Sequence, residues 1–180
     1  MLTNQKVIVA GAGGLLGSKL VASILENNGR VIATDINIEA MKSRLKNIGV
    51  DTKNGLLNLC DFDITDESSC KSFFSSLENI TGAVNATYPR NKTYGALFFD
   101  VSLASFNENL ALHLGSSFLF LQQCAAYFKK HETKMSLVNI SSIYGVVAPK
   151  FEVYEGTPMT MPVEYAAIKS AIIHLNKYIA

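Results

Sequence analysis

Two tyrosine–lysine pairs in the chain have a spacing of four, Tyr88…Lys92 and Tyr165…Lys169. On a helix that spacing puts both side chains on one face. A nearby ammonium favours the phenolate form of a tyrosine, which can then exchange a proton with an alcohol or carbonyl oxygen. Context separates the pairs. Pro89 follows Tyr88 and pushes it away from helical geometry, whereas Tyr165-Ala166-Ala167-Ile168-Lys169 lies in a clean helical run. Upstream, Leu137-Val138-Asn139-Ile140-Ser141-Ser142-Ile143-Tyr144-Gly145 reads as a strand entering a loop. A serine hydroxyl there could hold the reacting oxygen, although a serine pair is also an ordinary polar strand end.

A second constellation lies near the start. Ala10-Gly11-Ala12-Gly13-Gly14-Leu15-Leu16-Gly17 joins an apolar run to a helical one. The spacing is GxxGxxG rather than GxGxxG. Glycines suit a tight turn, close backbone approach to a pyrophosphate and tight helix–strand packing, and the helix N-terminus directs N–H groups at phosphate. The plain alternative is a flexible turn. Asp35 ends the next apolar run, 18 positions after Gly17. A carboxylate there accepts from ribose hydroxyls and repels a 2′-phosphate, so NAD is expected over NADP. Asp35 could instead cap the following helix, and an acidic residue at this place also occurs in S-adenosylmethionine-dependent methyltransferases.

The elements that must position these groups alternate. Short apolar runs at Val7–Ala10, Val31–Ala33, Leu56–Cys60, Gly82–Ala86 and Met135–Ile140 predict strands covered on both faces. Between them, Leu15–Asn28, Ile38–Ile48, Asp66–Leu77, about Ser102–Lys130, and Val163–Ile179 predict helices. Asp66 is an expected N-cap. In the fourth helix Phe106, Leu110, Leu114, Phe118, Leu121 and Ala125 form the expected apolar stripe. The order βαβαβαβαβα predicts an α/β, Rossmann-like doubly wound parallel sheet with helices on both faces. One domain over residues 1–180 is expected, with a long irregular stretch at Tyr144–Pro162. The chain stops at a helix, where such a sheet ordinarily continues, so missing C-terminal strands and a missing substrate lid are expected.

Composition narrows the function. The 180 residues are 48% apolar and 17% charged, with net charge +1, which excludes disorder and leaves no strong footprint for nucleic acid or an anionic membrane. No apolar run is long enough to span a membrane, and Val7–Ala10 is too short for an export segment. Cys60, Cys70 and Cys124 are odd in number and scattered, as in a reducing compartment, so a cytoplasmic protein is expected. His113, His131 and His174 lack ligand spacing, so no metal is expected.

Together, the Gly11/Gly14/Gly17 loop, Asp35, Asp63-Ile64-Thr65, Asn85-Ala86, Asn139-Ile140-Ser141-Ser142 and Tyr165-x-x-x-Lys169 resemble the short-chain dehydrogenase/reductase family over essentially the whole chain. The resemblance implies that Tyr165 is the general acid/base. It implies that Lys169 binds the nicotinamide ribose and stabilises the phenolate, and that Ser142 is the catalytic serine. Around the dinucleotide it implies Gly11, Gly14, Leu15, Leu16 and Gly17 at the phosphates and Asp35 and Ile36 at the ribose. Asp63 and Ile64 would lie around the adenine and Asn85 in the loop lining the adenosine ribose, with Ala86 and Ile140 also binding the cofactor. Three departures stand out. Thr87 replaces the glycine of Asn-Ala-Gly. The family's helix asparagine, which supports the lysine through a water, aligns with His113, with Asn109 one turn earlier as a substitute. Ser142 and Tyr165 are 23 positions apart, about ten more than usual in the family. The extra segment, Val146 to Pro162, carries Lys150, Glu152, Tyr154, Glu155 and Thr157, groups that suit a polyhydroxylated substrate or form a surface excursion.

The run Ile143–Gly156, on to Met161–Tyr165, further resembles a bacterial subgroup of flagellin-modification and sialic-acid-like sugar pathway oxidoreductases. The expectation is an NAD-dependent oxidoreductase acting on an alcohol or ketone of an activated sugar, as a homodimer or homotetramer. Two alternatives stand beside it. One is a nucleotide-sugar epimerase or dehydratase, toward which GxxGxxG leans. The other is a dinucleotide-binding protein without catalysis.

Overall fold

Short β-branched runs bounded by Gly, Asn and Asp become five parallel strands: β1 (Lys6–Ala10), β2 (Arg30–Asp35), β3 (Leu57–Asp61), β4 (Gly82–Asn85) and β5 (Ser136–Asn139). In the computed structural model, which describes residues 1–157 and 160–180, they form one sheet in the order β3-β2-β1-β4-β5. Pro158 and Met159, in the segment expected beside the substrate, lie outside the described residues. Strand order reverses at β1, and ligands of open α/β sheets bind beyond the C-terminal strand ends at such a switch. Ala10 pairs with Asn85 across β1 and β4, which fixes the register of the two strand ends carrying Gly11 and Ala86.

The chain divides into two compact units. The first, Met1–Tyr88 with Leu119–Ile140, holds the whole sheet. Pleating sends Ile8 and Ala10 to one core, with Phe74, Phe120 and Cys124. It sends Val9 to the other, with Val21, Met41 and Leu45. The helices α1 (Leu15–Glu26) and α2 (Ile38–Asn47) supply the second core, and α3 (Glu67–Ser75) contributes to the first. Side chains start two of them: Asn37 accepts from Ala40 N, and Asp66, the expected cap, accepts from Ser69 N. Asn37 therefore caps α2, and Asp35 does not.

The second unit, Pro89–Phe118 with Ser141–Ala180, contains α4 (Leu103–Asn109), a π-helical turn over Leu110–Gly115, two short 3₁₀ turns in the irregular stretch, and α6 (Val163–Ile179). The sequence predicts one unbroken helix over about Ser102–Lys130. The structure interrupts it with the π turn, and α5 (Ser116–His131) follows. A π turn closes five residues rather than four, so the next turns are rotated relative to a continuous 3.6-residue repeat. The predicted apolar stripe fails accordingly: Phe118 is 50% exposed and Ala125 is exposed. The buried positions are Asn109, His113, Ser116 and Ser117 in the second unit. In the first they are Leu119, Phe120, Leu121, Cys124 and Tyr127. On α6 the buried face reads Glu164, Ile168, Lys169 and Ile172, two of them charged. Among the described residues no helix is long and apolar enough to cross a membrane.

Phe120 is fully buried and meets Phe74 edge to face at a centroid distance of 5.5 Å. Phe120→Ala is expected to cost about 3–5 kcal/mol, as a large cavity in a close-packed core does. Urea unfolding of the two proteins measures it, and a loss near zero would contradict this packing.

Candidate active site

In the first unit the turn from β1 to α1 is built by backbone crowding. Gly11 has φ +79°, a left-handed conformation that favours glycine. A Cβ there would lie 2.8 Å from Ala86 O. A Cβ on Gly17 would lie 2.1 Å from Gly11 O, so the first turn of α1 packs directly on the loop. Leu15 and Leu16 occupy that turn with side chains 75% and 48% exposed. The N-cap, Gly14, has no capping side chain, and no acidic residue sits in the first turn. Such a helix start leaves amide donors and a positive dipole end for an anion.

Asp35 turns back onto this loop. Its Oδ2 accepts from Gly13 N at 2.9 Å and its Oδ1 from Asn37 N at 3.2 Å. Ile36, next to it, is 68% exposed. Asp63 closes a local turn, its Oδ1 accepting from Thr65 N at 2.8 Å and Thr65 Oγ1 at 2.7 Å. Ile64 packs into the core at 5% exposure, so its side chain is spent on packing. Asn85 is buried, and its Oδ1 accepts from both Thr87 N and Thr87 Oγ1 at 3.1 and 2.7 Å. The threonine that departs from the family pattern thus ties itself to the asparagine beside it. Ala86 N donates to Ala10 O at 2.9 Å, and Ile140 N to Asn85 O at 3.1 Å, which aligns the ends of β1, β4 and β5. These groups fit a dinucleotide: a glycine cradle that a Cβ would fill, an uncapped helix start, and a carboxylate at the neighbouring strand end.

In the second unit three elements converge on Lys169. Ser141 Oγ donates to Lys169 O at 2.8 Å. Gly145 packs so closely on α6 that a Cβ would lie 2.7 Å from Lys169 C. His113 Nε2 lies 3.4 Å from Lys169 Nζ. The ammonium also sits 5.6 Å from the Tyr165 ring centroid, within cation–π range. Ser142 Oγ accepts from Tyr144 N at 3.2 Å, a contact that uses a lone pair and not the hydroxyl proton. Burial pulls Lys169 down to about 8. Burial, together with the Lys169 charge, pulls His113 down to about 3, so the imidazole is neutral around pH 7.

Of the two residues the sequence offered as the lysine's support, only His113 is recorded in contact with it. Asn109 is engaged elsewhere: its Oδ1 accepts from Asn91 N at 3.0 Å and its Nδ2 donates to Glu164 Oε1 at 3.2 Å. Glu164 is fully buried in the first turn of α6. Sequence reading passed over Ser141, Gly145 and Glu164 as contributors. The acid directly before Tyr165, on the same helix face as Ile168 and Ile172, is the sequence signal for the last. In the long segment, Tyr154 OH donates to Met161 Sδ at 3.4 Å and Thr157 Oγ1 to Tyr154 O at 2.7 Å, while Lys150, Glu152 and Glu155 are exposed.

The family model for short chain dehydrogenases matches residues 5–180. The chain belongs to the short chain dehydrogenase family. This family member is 39% identical to "Post-translational flagellin modification protein A" of Campylobacter coli, over all of this chain and 72% of that protein. It is 27% identical to 2,5-dichloro-2,5-cyclohexadiene-1,4-diol dehydrogenase of Sphingobium indicum, over 99% of this chain and 66% of that one. Among solved structures, a short chain dehydrogenase from Leptospira borgpetersenii with bound NAD+ superposes with a TM-score of 0.82 at 30% identity, covering 99% of this chain and 65% of that one. The chain thus spans about two thirds of the length of these relatives.

Burial of these two basic side chains makes the stability of this family member pH-dependent. His113 falls from an ordinary 6.5 to about 3, and Lys169 from 10.5 to about 8. Between each pair of values the unfolded chain binds the extra proton, so stability rises with pH through each window. His113→Gln is expected to flatten the rise between about pH 3 and 6.5, and Lys169→Met the rise between about 8 and 10.5. Denaturant midpoints across pH measure both, and unchanged slopes would contradict the burial described.

Proposed function

We propose that the protein is an NAD-dependent oxidoreductase acting on an alcohol or ketone carbon of an activated sugar in surface-glycan or flagellin modification. The observation that carries this reading is the buried Lys169 ammonium held beside the Tyr165 ring on one face of α6. That pair supports proton exchange between the Tyr165 hydroxyl and the substrate oxygen, with the cation favouring the phenolate. The Ser142 hydroxyl donates to the same oxygen and orients it. On the other unit, Gly11, Gly14 and Gly17 admit the pyrophosphate, and Leu15 and Leu16 present first-turn amides to it. The Asp35 carboxylate accepts from the adenosine ribose hydroxyls, with Ile36 next to it. Asp63, Ile64, Asn85, Ala86 and Ile140 complete the strand-end set. Bound NAD would supply hydride exchange at its nicotinamide.

Asp35 supports NAD over NADP because an extra 2′-phosphate would meet its charge. The Campylobacter relative's name supports the sugar-modification context. The Sphingobium relative's name, a cyclic diol dehydrogenase, supports a ring carbon bearing a hydroxyl as the reacting centre. The reading includes a cytoplasmic homodimer or homotetramer acting on a small sugar-like molecule, without nucleic acid or membrane as partner.

Calorimetric titration is expected to show tighter binding of NAD than of NADP, with Asp35→Ala narrowing the gap by about 1–3 kcal/mol. Equal binding of the two by the unaltered protein removes Asp35 from this role. Tyr165→Phe is expected to abolish turnover on a panel of nucleotide sugars with NAD affinity nearly unchanged, while Tyr88→Phe is expected to leave turnover intact. Retained activity in Tyr165→Phe overturns the chemistry. NAD retained through purification with no net oxidation would favour an epimerase or dehydratase, and NAD binding without any turnover a non-catalytic protein.

A further inference from the structure

Lys169 and His113 are 3% and 2% exposed, and Nζ lies 3.4 Å from Nε2. An ammonium has three donors and no acceptor. Lys169 keeps its proton up to about pH 8, so at neutral pH the ring must be the acceptor. Imidazole accepts at Nε2 only when neutral and protonated at Nδ1. The charge acting on the ring is that of Lys169, from α6, and burial drives in the same direction, toward the neutral form. The backbone beneath the ring is fixed as well. His113 lies within the π turn, and its carbonyl accepts from Ser116 Oγ at 3.2 Å and Ser117 Oγ at 2.8 Å, both side chains buried.

We infer that His113 is a positioning residue for Lys169: a neutral imidazole, protonated at Nδ1, whose Nε2 accepts directly from the ammonium and holds it beside Tyr165. It performs in one contact what the family resemblance assigns to an asparagine acting through a water. A neutral ring satisfies one ammonium proton without adding a second positive charge, and the serine hydroxyls and π turn hold the backbone that carries it. This inference rests on the Tyr165–Lys169 reading, but its main test needs neither substrate nor cofactor.

The test is nitrogen-15 NMR of histidine-labelled protein, its three histidines separated by comparison with H113Q. The His113 ring is expected to show an unprotonated Nε2 and a protonated Nδ1, unchanged down to about pH 5. A proton on Nε2, or titration near the ordinary histidine value, overturns the inference. The second arm is kinetic, comparing H113L and H113Q, which are close in size but differ in acceptor capacity. H113L is expected to lower kcat at least about tenfold, the scale of one hydrogen bond to a charged group, and H113Q to rescue most of that loss. Equal loss in both variants at unchanged thermal stability overturns the positioning role. If Tyr165→Phe remains active while the NMR result holds, the proton-transfer reading fails and the His113–Lys169 contact stands.

Discussion

Keeping an ammonium out of water is the constraint around which the second unit is built. A buried lysine without partners would discharge or unfold its surroundings. Lys169 is fixed by three contacts from different parts of the sequence: two on its backbone, a serine hydroxyl on its carbonyl and a glycine pressed against it, and one on its charge, an imidazole facing its nitrogen. Each contact also sets something else in place. The Ser141 and Gly145 contacts anchor the loop that carries Ser142, and His113 orients the cation toward the Tyr165 ring. Fixing one residue by both its backbone and its charge thereby assembles the groups that could move a proton.

The first unit is organised by a different constraint, the absence of space. Gly11 and Gly17 exist because carbonyls occupy the positions their Cβ atoms would need. That crowding draws the start of α1 onto the ends of β1 and β4, and the helix starts there without a side-chain cap. The Asp35 carboxylate then fastens the loop through Gly13 N. The cradle is therefore a consequence of close packing, and the chemistry it can offer an anion follows from where the packing leaves N–H groups.

Polar burial explains the irregularity of the helical segment that runs from α4 through the π turn. Asn109, His113, Ser116 and Ser117 are sealed from solvent, and each has a hydrogen-bonding partner from its own unit. A regular α-helix would continue the apolar stripe that Phe106, Leu110, Leu114 and Phe118 announce. The π turn shifts the face instead, so Phe118 meets solvent and His113 meets Lys169. Packing is given up at one position to satisfy a charge at another.

Local chemistry was legible in the sequence wherever the cause is local. The five strands appear within one or two residues of their apolar runs, and the central β1, β2 and β4 are largely buried as expected, whereas the edge strands β3 and β5 leave residues exposed because each lacks a neighbour on one side. Val163–Ile179 emerges with the expected bounds, and Asp66 caps the helix it precedes, because caps and helix faces are set by neighbours in the chain. The Tyr165–Lys169 proximity follows from helical spacing alone. What the sequence could not decide depended on partners far along the chain. Whether Asn109 or His113 supports the lysine was open from spacing, because both lie one turn apart on the same helical run. The π turn and Glu164 resolved it, by drawing the asparagine to Asn91 and a carboxylate and leaving the imidazole for the ammonium. Likewise, only the folded chain shows that Asn37 and not Asp35 caps α2, that Ser141 anchors α6 rather than merely ending a strand, and that Thr87 ties itself to Asn85. Side-chain identity limits what a group can do. Which hydrogen bond a buried group makes is decided by the competition among all polar groups enclosed with it, and only the tertiary structure defines that set.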